Sequence, residues 1–307
     1  MAIGAGQSST NYIMEMDVLD GGGEWGSSTN YVLSHATGQS SPIGASSSSS
    51  YSAYAGFWYT LTGAVVTVAI LHKDGAIWSS DTGWELGTPP YYPGTAYARD
   101  LEFSGSNYLI LHRDGAIYDS SGAAWNLNTP PYYVGSDYAM DLEFTGSGEA
   151  ILHRDGAIWF SDTGWELGTP PYYVDTAYAL SLEIRGDGNY VILHKEGAIY
   201  DSVDGWNLST PPYYPGSEWA ADLEITASDE DCILHKEGAL WYSDTGWVLT
   251  TPPYYPGNEY AVDLELVGSG YLILHKEGAI YDSVDGWNID TPPYYPGSEW
   301  ALDLEVR

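Results

Sequence analysis

Six histidines set the chemical question. His72, His112, His153, His194, His235 and His275 each stand in the motif Leu-His-(Lys/Arg)-(Asp/Glu)-Gly-Ala, at spacings of 40 or 41 residues. A second motif, Ala-x-Asp-Leu-Glu, recurs with them and supplies Asp100, Asp141, Asp222, Asp263 and Asp303, with Ser181 in the remaining place. A histidine beside a carboxylate can relay a proton, ligate a metal or simply make a hydrogen bond. Alternation along a strand favours the last of these. With one buried face, the hairpin register sets Leu101 opposite Leu111 and Asp100 opposite His112, since a one-residue slip would bury the charges. The five aspartates and the histidines His112, His153, His235, His275 and His72 then act as structural pins, Asp303 serving His72. Catalytic sites rarely repeat six times with equal emphasis, and no repeat has metal-ligand spacing of its own.

The other reactive residues read in the same way. Lys73, Arg113, Arg154, Lys195, Lys236 and Lys276 fill one equivalent slot and should pair with carboxylates such as the Glu102 series. Left unpaired, a ring of carboxylates on an axis could hold a cation such as Ca²⁺, although no cofactor is required. Cys232 replaces an Ala, Leu or Val of the other repeats and reads as a core residue. Only Ser181, Arg99 and Arg185 break the symmetry clearly, so a glycoside hydrolase is the weakest reading.

Aromatic residues give the best binding signal. Each Thr-Pro-Pro-Tyr-Tyr segment contributes a pair: Tyr91 and Tyr92, Tyr132 and Tyr133, Tyr172 and Tyr173, Tyr213 and Tyr214, Tyr254 and Tyr255, Tyr294 and Tyr295. Such rings suit sugar stacking or protein interfaces, with an apolar body and a polar tip. Trp84, Trp125, Trp165, Trp206, Trp247 and Trp287 recur once per repeat and are expected mainly to pack between units.

These residues must be carried by strands. Within one unit, Tyr97 to Phe103, Tyr108 to Arg113, Ala116 to Asp119 and Ala124 to Leu127 read as four short strands, with Asp114-Gly115 as a hairpin turn. Four strands in about 41 residues describe a propeller blade, and six units fit a ring. The opening unit lacks an Ala-x-Asp-Leu-Glu strand, and the chain closes on a surplus one, Ala301 to Arg307. Docking that strand beside His72 removes two open edges. The fold class is therefore all-β, a six-bladed β-propeller over residues 59–307. Trp78, Trp159 and Trp241 alternate with Tyr118, Tyr200 and Tyr281, so blade pairs should repeat three times. Each Pro-Pro segment, unable to donate to a ladder, is expected to be an extended linker.

Residues 1–58 form a different segment, a Ser-, Gly- and Tyr-rich β/coil arm without Lys or Arg. Its runs Tyr12 to Leu19 and Tyr31 to Ser34 could be strands but are too short to bury a core. The arm should therefore order by lying on its own propeller or by strand addition to another copy, with Tyr12, Tyr31, Phe57 and Trp58 as candidate assembly residues. Lys plus Arg number 9 against 42 Asp plus Glu, a net charge of −33, which excludes nucleic acid as a partner. No run is long and apolar enough to span a membrane.

Two resemblances follow. The unit Pro-Pro-Tyr-Tyr-Pro-Gly-x-x-(Tyr/Trp)-Ala-x-Asp-Leu-Glu, followed by Ile-Leu-His-(Lys/Arg)-(Asp/Glu)-Gly-Ala-Ile, resembles tandem propeller-like repeats of secreted bacterial proteins over residues 64–307. Those repeats have Leu-Asp where this chain has Leu-His. The series Ser27 to Ser34, Thr37 to Gln39 and Ala55 to Trp58 resembles a short module of bacterial surface proteins. Both imply an extracellular or cell-surface location in a prokaryote, and neither implies a catalytic residue set. The leading expectation is a non-catalytic structural protomer that self-associates through its arm, by strand addition and into a filament. The alternative is a multivalent lectin-like propeller that binds glycans at the Tyr-Tyr segments.

Overall fold

In the computed structural model, the described residues are 67–307 and the backbone of four strands, β1 (Gly23–Ser27), β2 (Tyr31–Ala36), β3 (Gly44–Ser48) and β4 (Ser52–Ala55). Tyr12, Phe57 and Trp58, with the run from Tyr12 to Leu19, lie outside them. The chain divides into two compact units, Met1–Thr67 and Val68–Arg307. In the first unit β1 to β4 pair in sequence order as an antiparallel meander, with Tyr31 opposite Ser48. The arm thus finds strand partners within itself, a possibility that its composition does not suggest. The serines Ser46 to Ser48 complete the ladder against Leu33, Val32 and Tyr31.

The second unit is all-β and, among the described residues, comprises six four-stranded antiparallel sheets. Blade 1 contains β5 (Val68–His72), β6 (Ile77–Ser79) and β7 (Gly83–Glu85). Blade 2 is β8 (Ala98–Ser104), β9 (Asn107–His112), β10 (Ile117–Asp119) and β11 (Ala124–Asn126). Blade 3 is β12 (Ala139–Phe144), β13 (Glu149–His153), β14 (Ile158–Phe160) and β15 (Gly164–Glu166). Blade 4 is β16 (Ala179–Ile184), β17 (Tyr190–His194), β18 (Ile199–Asp201) and β19 (Gly205–Asn207). Blade 5 is β20 (Ala220–Ile225), β21 (Asp231–His235), β22 (Leu240–Tyr242) and β23 (Gly246–Val248). Blade 6 is β24 (Ala261–Val267), β25 (Gly270–His275), β26 (Ile280–Asp282) and β27 (Gly286–Asn288). Finally β28 (Ala301–Val306) pairs with β5 and completes blade 1, Leu304 facing Ile70. The first strands of successive blades, β8, β12, β16, β20, β24 and β28, neighbour one another in a ring. This is a six-bladed β-propeller closed between its carboxyl-terminal strand and β5.

The register differs from the one expected. Leu101 faces Ile110, Asp100 faces Leu111, and a bulge at Arg99 lets Ala98 face His112. The expectation assumed one buried face. In the ring both faces of a blade are buried: Leu101 and Ile110 pack toward Ala69, Leu71 and Ile77 of blade 1, while Leu109 and Leu111 pack toward Leu142, Ile151 and Trp159 of blade 3. With apolar side chains on both sides, burial no longer selects between the two registers. Cys232 lies in such an interblade cluster, with Leu264 and Tyr260, and burial pushes its thiol up to about 12.

The Pro-Pro segments are turns rather than extended linkers. Thr88 Oγ1 donates to the Tyr91 carbonyl at 2.9 Å and Tyr91 N–H to the Gly87 carbonyl at 2.9 Å. Two successive prolines offer no N–H, so the threonine hydroxyl and the flanking amide close the turn. A belt of backbone hydrogen bonds then joins each linker to the β-turns beside it. Lys73 N–H donates to Trp300 O at 3.1 Å, Tyr97 N–H to Lys73 O at 3.0 Å, Arg113 N–H to Tyr97 O at 2.9 Å, and the pattern continues to Trp300 N–H on Lys276 O at 3.0 Å. Beneath each linker lies a turn glycine; Gly115, at φ 85°, sits against the Tyr138 hydroxyl and the Pro131 carbonyl, where a Cβ has no room. Removing residues 301–307 takes the inner strand from blade 1 and uncovers the fully buried Ile70 and Leu71. The expected outcome is loss of the cooperative thermal transition and aggregation, read by circular dichroism melting and size-exclusion chromatography; a full-length-like melt would contradict closure.

Candidate functional site

Strand direction determines where side chains can gather. The turn between the second and third strands of a blade, and the linker into its first strand, meet at one end of the blade. At that end the structure forms a cup that recurs from blade to blade. In blade 1 it is lined by Trp300 and Tyr295 from the linker ahead, His72, Trp84 and Leu86 of the blade, and Tyr91 from the linker behind. Blades 3, 4 and 6 repeat it, for example with Tyr133, Tyr138, His153, Trp165, Leu167 and Tyr172 in blade 3. The cavity volumes are about 500, 200, 320 and 240 Å³ for blades 1, 3, 4 and 6.

The floor of each cup is a stack. Tyr97 lies on His112 with ring centroids 4.9 Å apart and an interplanar angle of 18°, and Trp300 lies on His72 at 5.4 Å and 16°. The strand-four tryptophan closes the stack edge-on, Trp125 standing 5.8 Å from His112 at 85°. In the other five blades the indole N–H of this tryptophan donates to the second tyrosine of the linker ahead, as Trp165 Nε1 does to Tyr133 Oη at 3.2 Å and Trp206 Nε1 to Tyr173 Oη at 3.2 Å. Two Tyr-Tyr pairs are split between successive cups: Tyr172 lines that of blade 3 and Tyr173 that of blade 4, and Tyr294 lines that of blade 6 and Tyr295 that of blade 1. Of the twelve candidate tyrosines, Tyr91, Tyr133, Tyr172, Tyr173, Tyr213, Tyr255, Tyr294 and Tyr295 line these four cups. The recurring tryptophans, expected to serve packing, stand in the cup wall as well.

One component was missed. Leu86, Leu127, Leu167, Leu208, Leu249 and Ile289 hold an exposed rim position, each more than half exposed. Their signal was available in sequence, as an apolar residue two places after every recurring tryptophan, in a segment that ends its strand. Six equivalent apolar side chains in solvent beside aromatic rings mark a surface for contact.

The expected Asp–His pins are corrected. Asp100, Asp141, Asp222, Asp263 and Asp303 do not face His112, His153, His235, His275 and His72, because the register differs. Each aspartate reaches the next blade and accepts a backbone N–H: Asp100 from Leu142 at 2.6 Å, Asp263 from Leu304 at 2.6 Å and Asp303 from Leu101 at 2.8 Å. The histidines of blades 1 to 3 instead meet the aspartate of their own turn, His72 with Asp74, His112 with Asp114 and His153 with Asp155, all at 2.5 Å. The basic slot also departs from expectation. Lys195 and Lys276 pair with linker carboxylates, Glu218 at 2.5 Å and Glu299 at 2.7 Å, rather than with the Glu102 series.

The Glu102 series and the aspartates project from the six inner strands toward the axis. Burial, followed by mutual repulsion, holds Asp100, Glu102, Asp141, Glu143, Glu183, Glu224, Asp263, Glu265, Asp303 and Glu305 well above the usual carboxylate range, and it brings Asp222 to about 6. Among the described residues no group of three or more His, Cys, Asp or Glu side chains is arranged to hold a metal ion. Among them, too, no helix is long and apolar enough to cross a membrane.

Structural comparison supplies the fold and no more. No protein-family model and no curated protein matches the sequence. A Bacteroides caccae protein of unknown function is similar in structure, with a TM-score of 0.53 and 11% identity over 78% of this chain and 98% of its own. The extracellular domain assigned to a hybrid two-component system of B. thetaiotaomicron is similar over 78% of this chain, with a TM-score of 0.50 and 13% identity, and this chain spans 36% of that one. Both likenesses concern the propeller.

The axial carboxyls give a pH dependence. Their folded proton affinity exceeds the unfolded one, so folding takes up protons and stability declines as pH rises. The six histidines act oppositely, because burial lowers them, but only below their ordinary value of 6.5. Above that value the carboxyls act alone. The melting temperature should fall between about pH 6.5 and about pH 8.5, and Glu143→Gln with Glu183→Gln should raise it at the alkaline end and flatten the profile. A melting temperature that climbs with pH over this range would refute the reading.

Proposed function

We propose that this chain is a non-catalytic, multivalent glycan-binding propeller of the bacterial cell exterior. The observation that carries the reading is the recurrence of one aromatic cup in blade after blade. A pyranose ring has apolar faces and a hydroxyl edge. The cup offers ring faces and an apolar rim, beside Tyr hydroxyls, the histidine edge and small polar groups such as Thr176, Asn258 and Ser298. Stacking on such rings contributes about 0.5–1.5 kcal/mol per contact, so a single cup binds weakly. Repetition around a rigid ring turns weak sites into useful avidity, with gains of roughly 10²–10⁴ when one polymer spans several of them. The cup geometry thus favours the lectin alternative over the structural protomer as the role of the propeller. The extracellular location is supported by the resemblance to secreted bacterial repeats. Glycan-array binding is the expected result, and Leu208→Ala with Tyr213→Ala should remove about one site from the stoichiometry measured by calorimetry. Failure to bind any glycan would sink the proposal.

Assembly through residues 1–58 is the second reading, favoured by the β1–β4 meander. In its strand order β1 and β4 are the outer strands, and outer strands invite addition of a further one. Deleting residues 2–58 should leave a folded propeller that light scattering finds monomeric, whereas the full chain forms larger species; assembly that survives the deletion refutes this reading.

A further inference from the structure

The repeated linkers differ at one polar position beside the cups. Three places after the second tyrosine of each linker the chain has Thr95, Ser136, Thr176, Ser217, Asn258 and Ser298, in that order round the ring. Five of the six are hydroxyl residues, and all five use the hydroxyl in the same way. Thr95 Oγ1 donates to the Tyr92 carbonyl at 2.6 Å, and Ser136, Thr176, Ser217 and Ser298 donate to the carbonyls of Tyr133, Tyr173, Tyr214 and Tyr295. The hydroxyl proton is thereby spent on the linker, and only oxygen lone pairs remain for a ligand.

Asn258 breaks this pattern in blade 6. Its backbone N–H keeps the bond to the Tyr255 carbonyl, at 3.1 Å, so the turn itself is preserved. A carboxamide does not reproduce the hydroxyl's bond, because Oδ1 carries no proton and Nδ2 lies one bond farther from the backbone than Oγ. Among the described residues the Asn258 side chain makes no hydrogen bond, and it lines the cup with Tyr255, His275, Trp287 and Tyr294. Two N–H donors and a carbonyl acceptor therefore stand side by side in one plane at the wall of this cup. The rim departs in the same blade, with Ile289 where the other five have leucine, and its branched Cβ stiffens that stretch of wall. The aromatic floor is unchanged: Tyr260 lies on His275 at 5.1 Å and 19°, and Trp287 Nε1 donates to Tyr255 Oη at 3.3 Å. The departures thus alter what the cup of blade 6 can recognise and leave its scaffold as in the other blades.

A donor and an acceptor held in one plane match two neighbouring hydroxyls of a sugar ring, one accepting from Nδ2–H and the other donating to Oδ1. We infer that Asn258 is a specificity-determining residue, which makes the cup of blade 6 select a pyranose with a vicinal pair of free hydroxyls. The assignment rests on the glycan reading and adds to it the feature of the sugar that is recognised. Methyl β-glucoside and its 3-deoxy analogue test it, because the 3-hydroxyl belongs to both vicinal pairs of this ring and its removal leaves none. Each is titrated into the full chain labelled with ¹⁵N-tryptophan, where the indole signal of each strand-four tryptophan reports on its own cup. At Trp287 the deoxy sugar should bind roughly tenfold more weakly than methyl β-glucoside, and at the other five the difference should stay below about threefold. Asn258→Ser, which restores the residue found at Ser217 and Ser298, should bring Trp287 into line with the rest. Ser298→Asn should carry the preference to Trp84. Equal discrimination at all six indoles, a preference that survives Asn258→Ser, or one that Ser298→Asn does not transfer overturns the role of Asn258 and leaves the glycan reading standing. No response to either sugar at any of the six overturns the glycan reading and the role of Asn258 with it.

Discussion

The ring depends on the contact between each hairpin turn and the linker that crosses it. A turn glycine in the left-handed region makes room for a proline carbonyl and an aromatic ring, and the residue after the histidine exchanges backbone hydrogen bonds with linkers on both sides. Gly197 and Gly278 receive Trp219 and Trp300 in this way, and the other four receive tyrosines. A side chain at these glycines would combine left-handed strain, about 1–2 kcal/mol, with a clash against backbone that has nowhere to move. The same aromatic ring that lies on the turn also forms the floor of a cup by stacking on the histidine. Fold and site are therefore built from one set of atoms. Substitution at the rim, at Leu86, Leu208 or Tyr213, leaves the turn–linker contact in place, whereas loss of Tyr97 or Tyr138 would loosen two blades.

Much of this was legible in the sequence because the repeat removes ambiguity. Four strands per unit, the hairpin at Asp114-Gly115 and the closing strand from Ala301 follow from spacing and alternation, and the structure has them where the pattern places them. The register was not legible. Leu101, Ile110, Leu109 and Leu111 are apolar on both sides of the sheet, so the pattern contains no polar face against which to measure a slip. That single displacement accounts for the misassigned aspartates. The partner of His112 was two residues away, at Asp114, where local geometry rather than cross-strand pairing supplies it. The splitting of Tyr172 and Tyr173, and of Tyr294 and Tyr295, between two cups depends on the turn made by the prolines, and composition alone does not foretell it.

The axis shows what repetition imposes. A residue type that helps once is copied into every blade, and on the inner strands this draws eleven carboxyls together. Each aspartate accepts a backbone amide of the following blade, and a hydrogen bond of this kind contributes about 0.5–1.5 kcal/mol. Ser181 is the exception: it keeps a short polar side chain beside Asp222 and removes one charge from the crowd. For the glutamates burial first, and mutual repulsion second, raises the proton affinity, so that protonation relieves the crowding.

Two periodicities overlie the sixfold one. The Trp78–Tyr118 alternation concerns packing: Tyr118, Tyr200 and Tyr281 send their hydroxyls to the linker carbonyls of Pro89, Pro170 and Pro252. The Asp/Glu division, two places after each histidine, runs by halves, with Asp74, Asp114 and Asp155 in three blades and then Glu196, Glu237 and Glu277 in three. The division therefore changes only at the junctions of blades 3 with 4 and 6 with 1. The second of these is where the chain closes on itself and where the cup of about 500 Å³ lies, floored by Trp300 against His72. Closure thus joins the two halves directly, since the linker that completes the roomiest described cup follows the Glu277 turn and packs on the Asp74 turn.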